Sequence, residues 1–292
     1  MNRYLMSPPG HFSSHFLFNP WMDWQEQSDT ERAGAQWHEL RGVVTAAGGE
    51  VVAAPANPAA PAMTFTRDGA FVYDAGRALV LRNDEPRGSS EPPLIEAALR
   101  DAGLSVETMP AGTRLEGGNV LPCTDGRVLV GLKPGSSGLG EKHLAALVDR
   151  SRDCVGLPLA DLKYLHLDMV LADLGGRGWL VYPGGLGPGD LSRAAWSKVF
   201  GDRPIIEVDR DDAARLACNV VIVGDIVITG WASPALTRAI ESLGFDVAVT
   251  PLDEFRKAGG GPHCLTLELD PSGAANESTS ANEEEQICAS ST

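Results

Sequence analysis

A unit of strand, strand, helix and strand recurs about every fifty residues along this chain, and it limits the fold more than any other feature. Val120 to Leu121 and Val128 to Leu132 read as paired strands across Thr124-Asp125-Gly126. A helix over Glu141 to Arg150 and a strand over Val155 to Leu159 complete that unit. The next has strands at Tyr164 to Leu174 and Trp179 to Tyr182 around a Gly-Gly-Arg-Gly turn, a helix at Leu191 to Phe200, and Ile205 to Val208. Another runs through Asn219 to Val223, Ile226 to Thr229, a helix opened by Ser233-Pro234 and ending near Leu243, and Val247 to Val249. Upstream, Thr64 to Val72, Ala78 to Arg82, a helix at Pro93 to Ala102 and Val106 to Met109 make the same unit. The remaining copy is divided between the termini: Tyr4 to Met6, a helix at Asp29 to Ala47, Val51 to Ala54, and a strand beginning at Cys264.

No unit of this size buries both faces of its own sheet, so the five must share cores. The simplest arrangement is a five-bladed α/β propeller of ββαβ units around a pseudo-fivefold axis, one domain over residues 1–271. Residues 272–292 form a Ser/Ala/Asn/Glu-rich acidic tail without hydrophobic periodicity and are expected to be disordered, Cys288 with them. A net charge of −15 argues against nucleic acid or an anionic membrane surface as partner and suits a small cation. No stretch approaches the roughly 20 apolar residues of a membrane span. The 5 cysteines are irregularly spaced with no C-x-x-C pair, which fits a reducing, cytoplasmic setting and indicates neither a disulfide framework nor a metal site. Oligomeric state is not legible, and a homo-oligomer is compatible with the pattern.

Each unit carries one chemically able residue at an equivalent register: Asp68, Glu116, His166, Asn219 and Cys264. If each stands at the inner end of its blade's first strand, all converge on the axis. Singly, each has an ordinary structural explanation. His166 could be a core histidine, Asp68 and Glu116 strand-end carboxylates, and Cys264 a buried thiol beside a turn. Asp168, two residues from His166 on a strand, would share its face and could simply pair with it. Ordinary roles do not explain the common register. Gly259-Gly260-Gly261 before Cys264 is expected to leave one wall open for a flat substrate.

Carboxylates, a histidine and a thiol suit attack on a guanidinium carbon. The group is planar, cationic and forked, so Asp68, Glu116 and Asp168 could hold its N–H edges while Cys264 adds and His166 handles protons. The carboxylates should disfavour the thiolate until a cation arrives, so ionisation is expected to be substrate-assisted.

Phe65-Thr66-Arg67-Asp68, Glu116-Gly117-Gly118-Asn119, His166-Leu167-Asp168 and Gly260-Gly261-Pro262-His263-Cys264 resemble the motifs of the guanidine-modifying (pentein) superfamily, over about Met6 to Leu269. That superfamily includes arginine and agmatine deiminases, dimethylarginine dimethylaminohydrolases and amidinotransferases. The resemblance implies Cys264 as nucleophile, His166 as general acid/base, Glu116 as its partner, and Asp68 and Asp168 as guanidinium ligands, with Asn119 and Asn219 in the binding set. It implies no metal and no organic cofactor. The N-terminal Met6-Ser7-Pro8-Pro9-Gly10-His11-Phe12 and Asn19-Pro20-Trp21-Met22-Asp23 resemble dimethylarginine hydrolases and the dihydrolase domain of cyanobacterial enzymes.

Two departures bear on substrate. Dihydrolases carry Asn where this chain has Asp68, which favours a single C–N cleavage to a ureido product. The arginine that holds an α-carboxylate after a Val-Gly-Leu strand is absent, since Val130-Gly131-Leu132 runs into Lys133-Pro134-Gly135. Arg87, or less favourably Lys133, is a candidate to replace it; otherwise the substrate lacks that carboxylate, as agmatine does. An amidinotransferase using the same covalent intermediate and a non-catalytic propeller binding protein remain alternatives. Gly184-Gly185-Leu186-Gly187-Pro188-Gly189 is a poor phosphate loop because of its proline.

Overall fold

A computed structural model describes residues 2–13, 21, 25–83, 87–134, 138–148, 153–160, 162–187 and 193–270. The expected tail lies outside them, as do residues 19, 20, 22 and 23 of the N-terminal motif.

Five three-stranded sheets build the fold. The first blade begins with β1 (Arg3–Met6), α1 (Thr30–Ala46) and β2 (Glu50–Ala53). The second has α2 (Thr66–Gly69), β3 (Ala70–Asp74), β4 (Arg77–Val80), α3 (Arg87–Ser90), α4 (Pro92–Asp101) and β5 (Ser105–Thr108). The third has β6 (Val120–Pro122), β7 (Val128–Leu132), α5 (Leu139–Val148) and β8 (Cys154–Pro158). The fourth has β9 (Leu171–Asp173), β10 (Trp179–Val181), α6 (Arg193–Phe200) and β11 (Ile205–Glu207). The fifth has α7 (Arg210–Ala213), β12 (Val220–Val223), β13 (Ile226–Thr229), α8 (Pro234–Glu241) and β14 (Asp246–Val249). After α9 (Asp253–Arg256), β15 (Leu267–Glu268) pairs antiparallel with β1, Tyr4 opposite Glu268, and closes the ring across the termini. In every blade the middle strand is antiparallel to the first and parallel to the third. This is the expected five-bladed α/β propeller.

Strand alternation explains why the blades hold together. Val120 packs with Phe71 and Leu79 of the second blade, while its neighbour Leu121 packs with Leu171 and Trp179 of the fourth. Leu5 likewise faces Val72 and Val80, and Tyr4 and Met6 face Val221 and Ile228. These inner strands are buried on both faces along most of their length, which is why they read as continuous apolar runs, whereas the outer strands β2, β5, β11 and β14 are half-buried or exposed. The caps expected from sequence are present: Asp29 accepts from the Glu31 and Arg32 amides, and Ser233 accepts from Leu236 N at 3.2 Å ahead of Pro234.

The expected strands over Tyr164 to Leu174 and Thr64 to Val72, and one starting at Cys264, are corrected. The inner strands begin only at Leu171, Ala70 and Leu267. Tight turns precede them: Leu167–Met169 is a 3₁₀ turn, Thr66–Gly69 a single helical turn, and Leu265 N bonds Pro262 O at 3.2 Å. A polar residue at the end of an apolar strand is delivered to the axis by a turn, because a turn frees its side chain from the two-residue alternation. Among the described residues, no helix is long and apolar enough to cross a membrane.

Candidate active site

Glu116 and His166 occupy matching positions, each extended just before a 3₁₀ turn, Gly117–Asn119 and Leu167–Met169. Asp68 lies within its turn, Asn219 closes one by donating its N–H to Leu216 O at 2.9 Å, and Cys264 sits in the turn after Pro262. The turns bring these residues together, and all are buried, from Asn219 at 0% to Glu116 at 8% exposure.

Glu116 Oε2 meets His166 Nε2 at 2.9 Å and also contacts the Lys133 ammonium. On the other side of the ring, His166 Nδ1 lies 3.5 Å from Asp68 Oδ1. Asp68 Oδ2 accepts from Arg87 at 3.1 Å, and Arg87 Nε bonds Glu91 at 2.8 Å. Arg87, the candidate for an α-carboxylate, is thus buried and paired with Asp68 and Glu91. Asn119 spans the turn that carries the histidine, donating to Leu165 O and accepting from Leu167 N, both at 3.2 Å.

Asn219 organises the nucleophile. Its Oδ1 accepts from the amides of His263 at 3.0 Å and Cys264 at 3.3 Å, and its Nδ2 approaches Cys264 Sγ at 3.2 Å. Asp168 Oδ2 lies 3.7 Å from the same sulfur and 2.8 Å from His263 Nδ1. Asp168 therefore pairs with His263 and not with His166, because the 3₁₀ turn rotates it away from the face a strand would have shared.

The glycines have a different purpose from the one expected. A Cβ on Gly260 would lie 2.2 Å from Phe65, one on Gly261 2.7 Å from Asn219 Oδ1, and one on Gly259 2.8 Å from Trp21. Protein side chains, not an open wall, occupy that space. Gly259 also takes φ +76°. Gly118 is similarly close-packed, with an added Cβ 2.6 Å from His166 Nδ1.

Burial, reinforced by Asp168 and Asp68, pushes the Cys264 thiol well above its ordinary range. Burial opposes charge on His166, yet Asp68 and Glu116 outweigh it and raise the imidazole. Glu116 is held below the carboxylate range: burial works against its charge, but His166 and Lys133 prevail. Asp168 is lowered in the same contest, its His263 hydrogen bond overcoming burial. The site thus opposes ionisation of the thiol while favouring it for Glu116 and Asp168.

Sequence reading assigned no role to His263, Arg67 or Glu91. His263 was within the nucleophile motif, but adjacent residues on a strand point apart, so only the turn reveals that it reaches Asp168. Arg67 is buried at the axis, bonded to Val120 O, with its backbone N–H on Cys264 O at 3.2 Å. Among the described residues, no cluster of three or more His, Cys, Asp or Glu could hold a metal.

No family model matches the chain. It is 33% identical over 271 residues to the bifunctional arginine dihydrolase/ornithine cyclodeaminase ArgZ of Synechocystis, covering 91% of this chain and 37% of that protein. It is 29% identical to the N(G),N(G)-dimethylarginine dimethylaminohydrolase of Mycobacterium tuberculosis, covering 92% of this chain and 86% of that one. Among solved structures, a substrate-bound cysteine-to-serine variant of the ArgZ N-terminal domain, an arginine dihydrolase, superposes with a TM-score of 0.85 at 29% identity, over 92% of this chain and 98% of that domain. The chain thus spans well under half the length of the cyanobacterial relatives it matches.

Proposed function

The chain belongs to the guanidine-modifying (pentein) superfamily, and on that premise we propose that it is a cysteine-dependent hydrolase that cleaves one C–N bond of an arginine-like guanidino compound. The product is a ureido compound, with ammonia or an amine released. One observation carries the proposal. Among the described residues, Asp168 Oδ1 is buried with no hydrogen-bond partner, and Asp68 Oδ1 has no hydrogen bond and only the His166 ring 3.5 Å away. Leaving carboxylate oxygens without hydrogen bonds in a buried site is costly, and a planar cation with N–H edges satisfies both.

The bound cation offsets the carboxylates that hold the thiol neutral, so Cys264 ionises as substrate seats. The thiolate adds to the guanidinium carbon, and the C–N bond breaks as His166 delivers its proton to the departing amine. A thiouronium remains on Cys264. His166 then takes a proton from water as its oxygen adds to that carbon, and the C–S bond breaks to give the ureido product and free sulfur. Glu116 and Asp68 flank the imidazole and stabilise its charged form, which donates in the first half-reaction and is re-formed in the second.

A second substrate class has its own support. Both cations the sequence offered for an α-carboxylate, Arg87 and Lys133, are engaged by Asp68, Glu91 and Glu116. That favours a guanidino compound with no α-carboxylate. The test is ammonia and amine release with product mass spectrometry, across arginine, Nω-methylated and hydroxylated arginines, agmatine and guanidino acids, beside Cys264→Ser. Turnover abolished by the substitution supports the proposal and names the substrate. Turnover only when an acceptor amine is supplied, yielding a new guanidine, would make the enzyme an amidinotransferase. A thiol that titrates as thiolate below neutral pH in the ligand-free enzyme would overturn substrate-assisted ionisation.

A further inference from the structure

His263 precedes the nucleophile in the chain yet lies on the far side of Asp168. Its backbone N–H is held by Asn219 Oδ1 at 3.0 Å, and its ring Nδ1 lies 2.8 Å from Asp168 Oδ2. The ring borders a cavity of about 120 Å³, also lined by Asp168, Arg67, Glu268, Thr266 and Tyr4. The inner strands β6, β9 and β12 contribute to the same wall, which places this cavity on the propeller axis. Cys264 Sγ reaches the same Asp168 oxygen at 3.7 Å, while Oδ1 has no hydrogen-bond partner among the described residues. Asp168 is therefore clamped through one oxygen only.

We infer that His263 is a positioning residue for substrate binding: as a neutral imidazole it donates Nδ1–H to Asp168 Oδ2, turning Oδ1 toward the guanidinium and spreading the charge the sulfur meets. This rests on the function proposed above. Neutrality matters, because an imidazolium here would cancel the charge that binds a cation. The surroundings favour it: burial first, and then the Arg67 guanidinium from α2, lower the imidazole, against Asp168 on its own hydrogen bond and Asp68 in α2. Glu268 of β15 and Tyr4 of β1 face the ring across the cavity. A hydrogen bond to a charged group is worth enough to change affinity at least tenfold when one partner is removed.

Two substitutions separate positioning from packing. His263→Asn keeps an N–H near the Nδ1 position, and His263→Leu fills the volume without a donor. In a Cys264→Ser background, the dissociation constant of the best guanidino ligand should stay within a few-fold for His263→Asn and rise at least tenfold for His263→Leu. In the active enzyme the leucine variant should raise KM more than it lowers kcat. A second readout needs no substrate. Alkylation of Cys264 by iodoacetamide, followed by peptide mass spectrometry across the alkaline range, should shift to higher pH in His263→Leu, because a bare Asp168 disfavours the thiolate more. His263→Asn should leave that profile in place. Equal ligand affinity and unchanged alkylation in His263→Leu, or equal losses in both variants, would overturn the assignment. A parent that binds no guanidino compound would count against the proposed function, and the alkylation profiles would then decide the role of His263.

Discussion

Asn219→Leu tests how the nucleophile is held. The substitution roughly preserves volume at a position with 0% exposure, while removing the acceptor of the His263 and Cys264 amides and the donor to Sγ. Each buried N–H left without a partner costs about 1–3 kcal/mol, and an apolar isostere returns part of that. We expect a net loss of about 2–4 kcal/mol, which for a domain of this size lowers the melting temperature by roughly 5–10 °C. Turnover should fall further than stability suggests. With the amide gone the sulfur has no fixed position, and misplacement by about 1 Å is worth on the order of 10²-fold in rate. Thermal unfolding by circular dichroism and turnover at a temperature where both proteins are folded measure the two effects. Repeating the unfolding comparison in a Cys264→Ala background separates the sulfur contact from the two amides: most of the stability loss should persist there, because it resides in the backbone donors. Unchanged melting and unchanged turnover in Asn219→Leu would refute the role given to this residue.

Three further expectations follow from the same geometry. Lys133→Met removes a cation that lowers the imidazole, so the His166 pKa should rise further and the alkaline limb of the turnover profile should move to higher pH. The stability sign is consistent: the raised imidazole contributes fully below its unfolded value of 6.5 and loses that contribution as pH rises through the folded value, so Lys133→Met extends the window upward. A limb that moves down would contradict this. Gly118→Ala would set a Cβ 2.6 Å from His166 Nδ1 and should cost on the order of 10²-fold in turnover with the fold retained by circular dichroism; parental turnover would show that the ring tolerates displacement. Asp68→Asn frees Arg87 from one of its two carboxylates and supplies the residue found in dihydrolases, so ammonia released per guanidino group should rise from one toward two, with an amine product. Continued release of one ammonia, with a ureido product, would place the determinant of the second cleavage elsewhere.

Sequence alone determined the architecture and the chemical inventory. Strands buried on both faces must be apolar throughout, turns need glycine and asparagine or aspartate, and helices need caps, so the blade units and the α1 and α8 boundaries were legible locally. The polar residues at one register, Asp68, Glu116, His166, Asn219 and Cys264, were visible because an apolar strand has no local use for them. Apart from Glu116 beside His166, which the family resemblance implied, their partners were not visible. His166 and Asp168 are two residues apart yet separate, Asp168 meets His263 95 residues away, and Arg87 turns inward to Asp68 and Glu91. Tight turns before the inner strands set those directions, and such turns are short, cooperative with packing and weakly encoded in residue type. The glycines before Cys264 show the same limit: their presence was plain, but whether the space belonged to substrate or to Phe65, Trp21 and Asn219 depended on segments remote in sequence. Side-chain pairing across blades is a property of closure around the axis, and only the closed ring decides which carboxylate oxygen is left for a ligand.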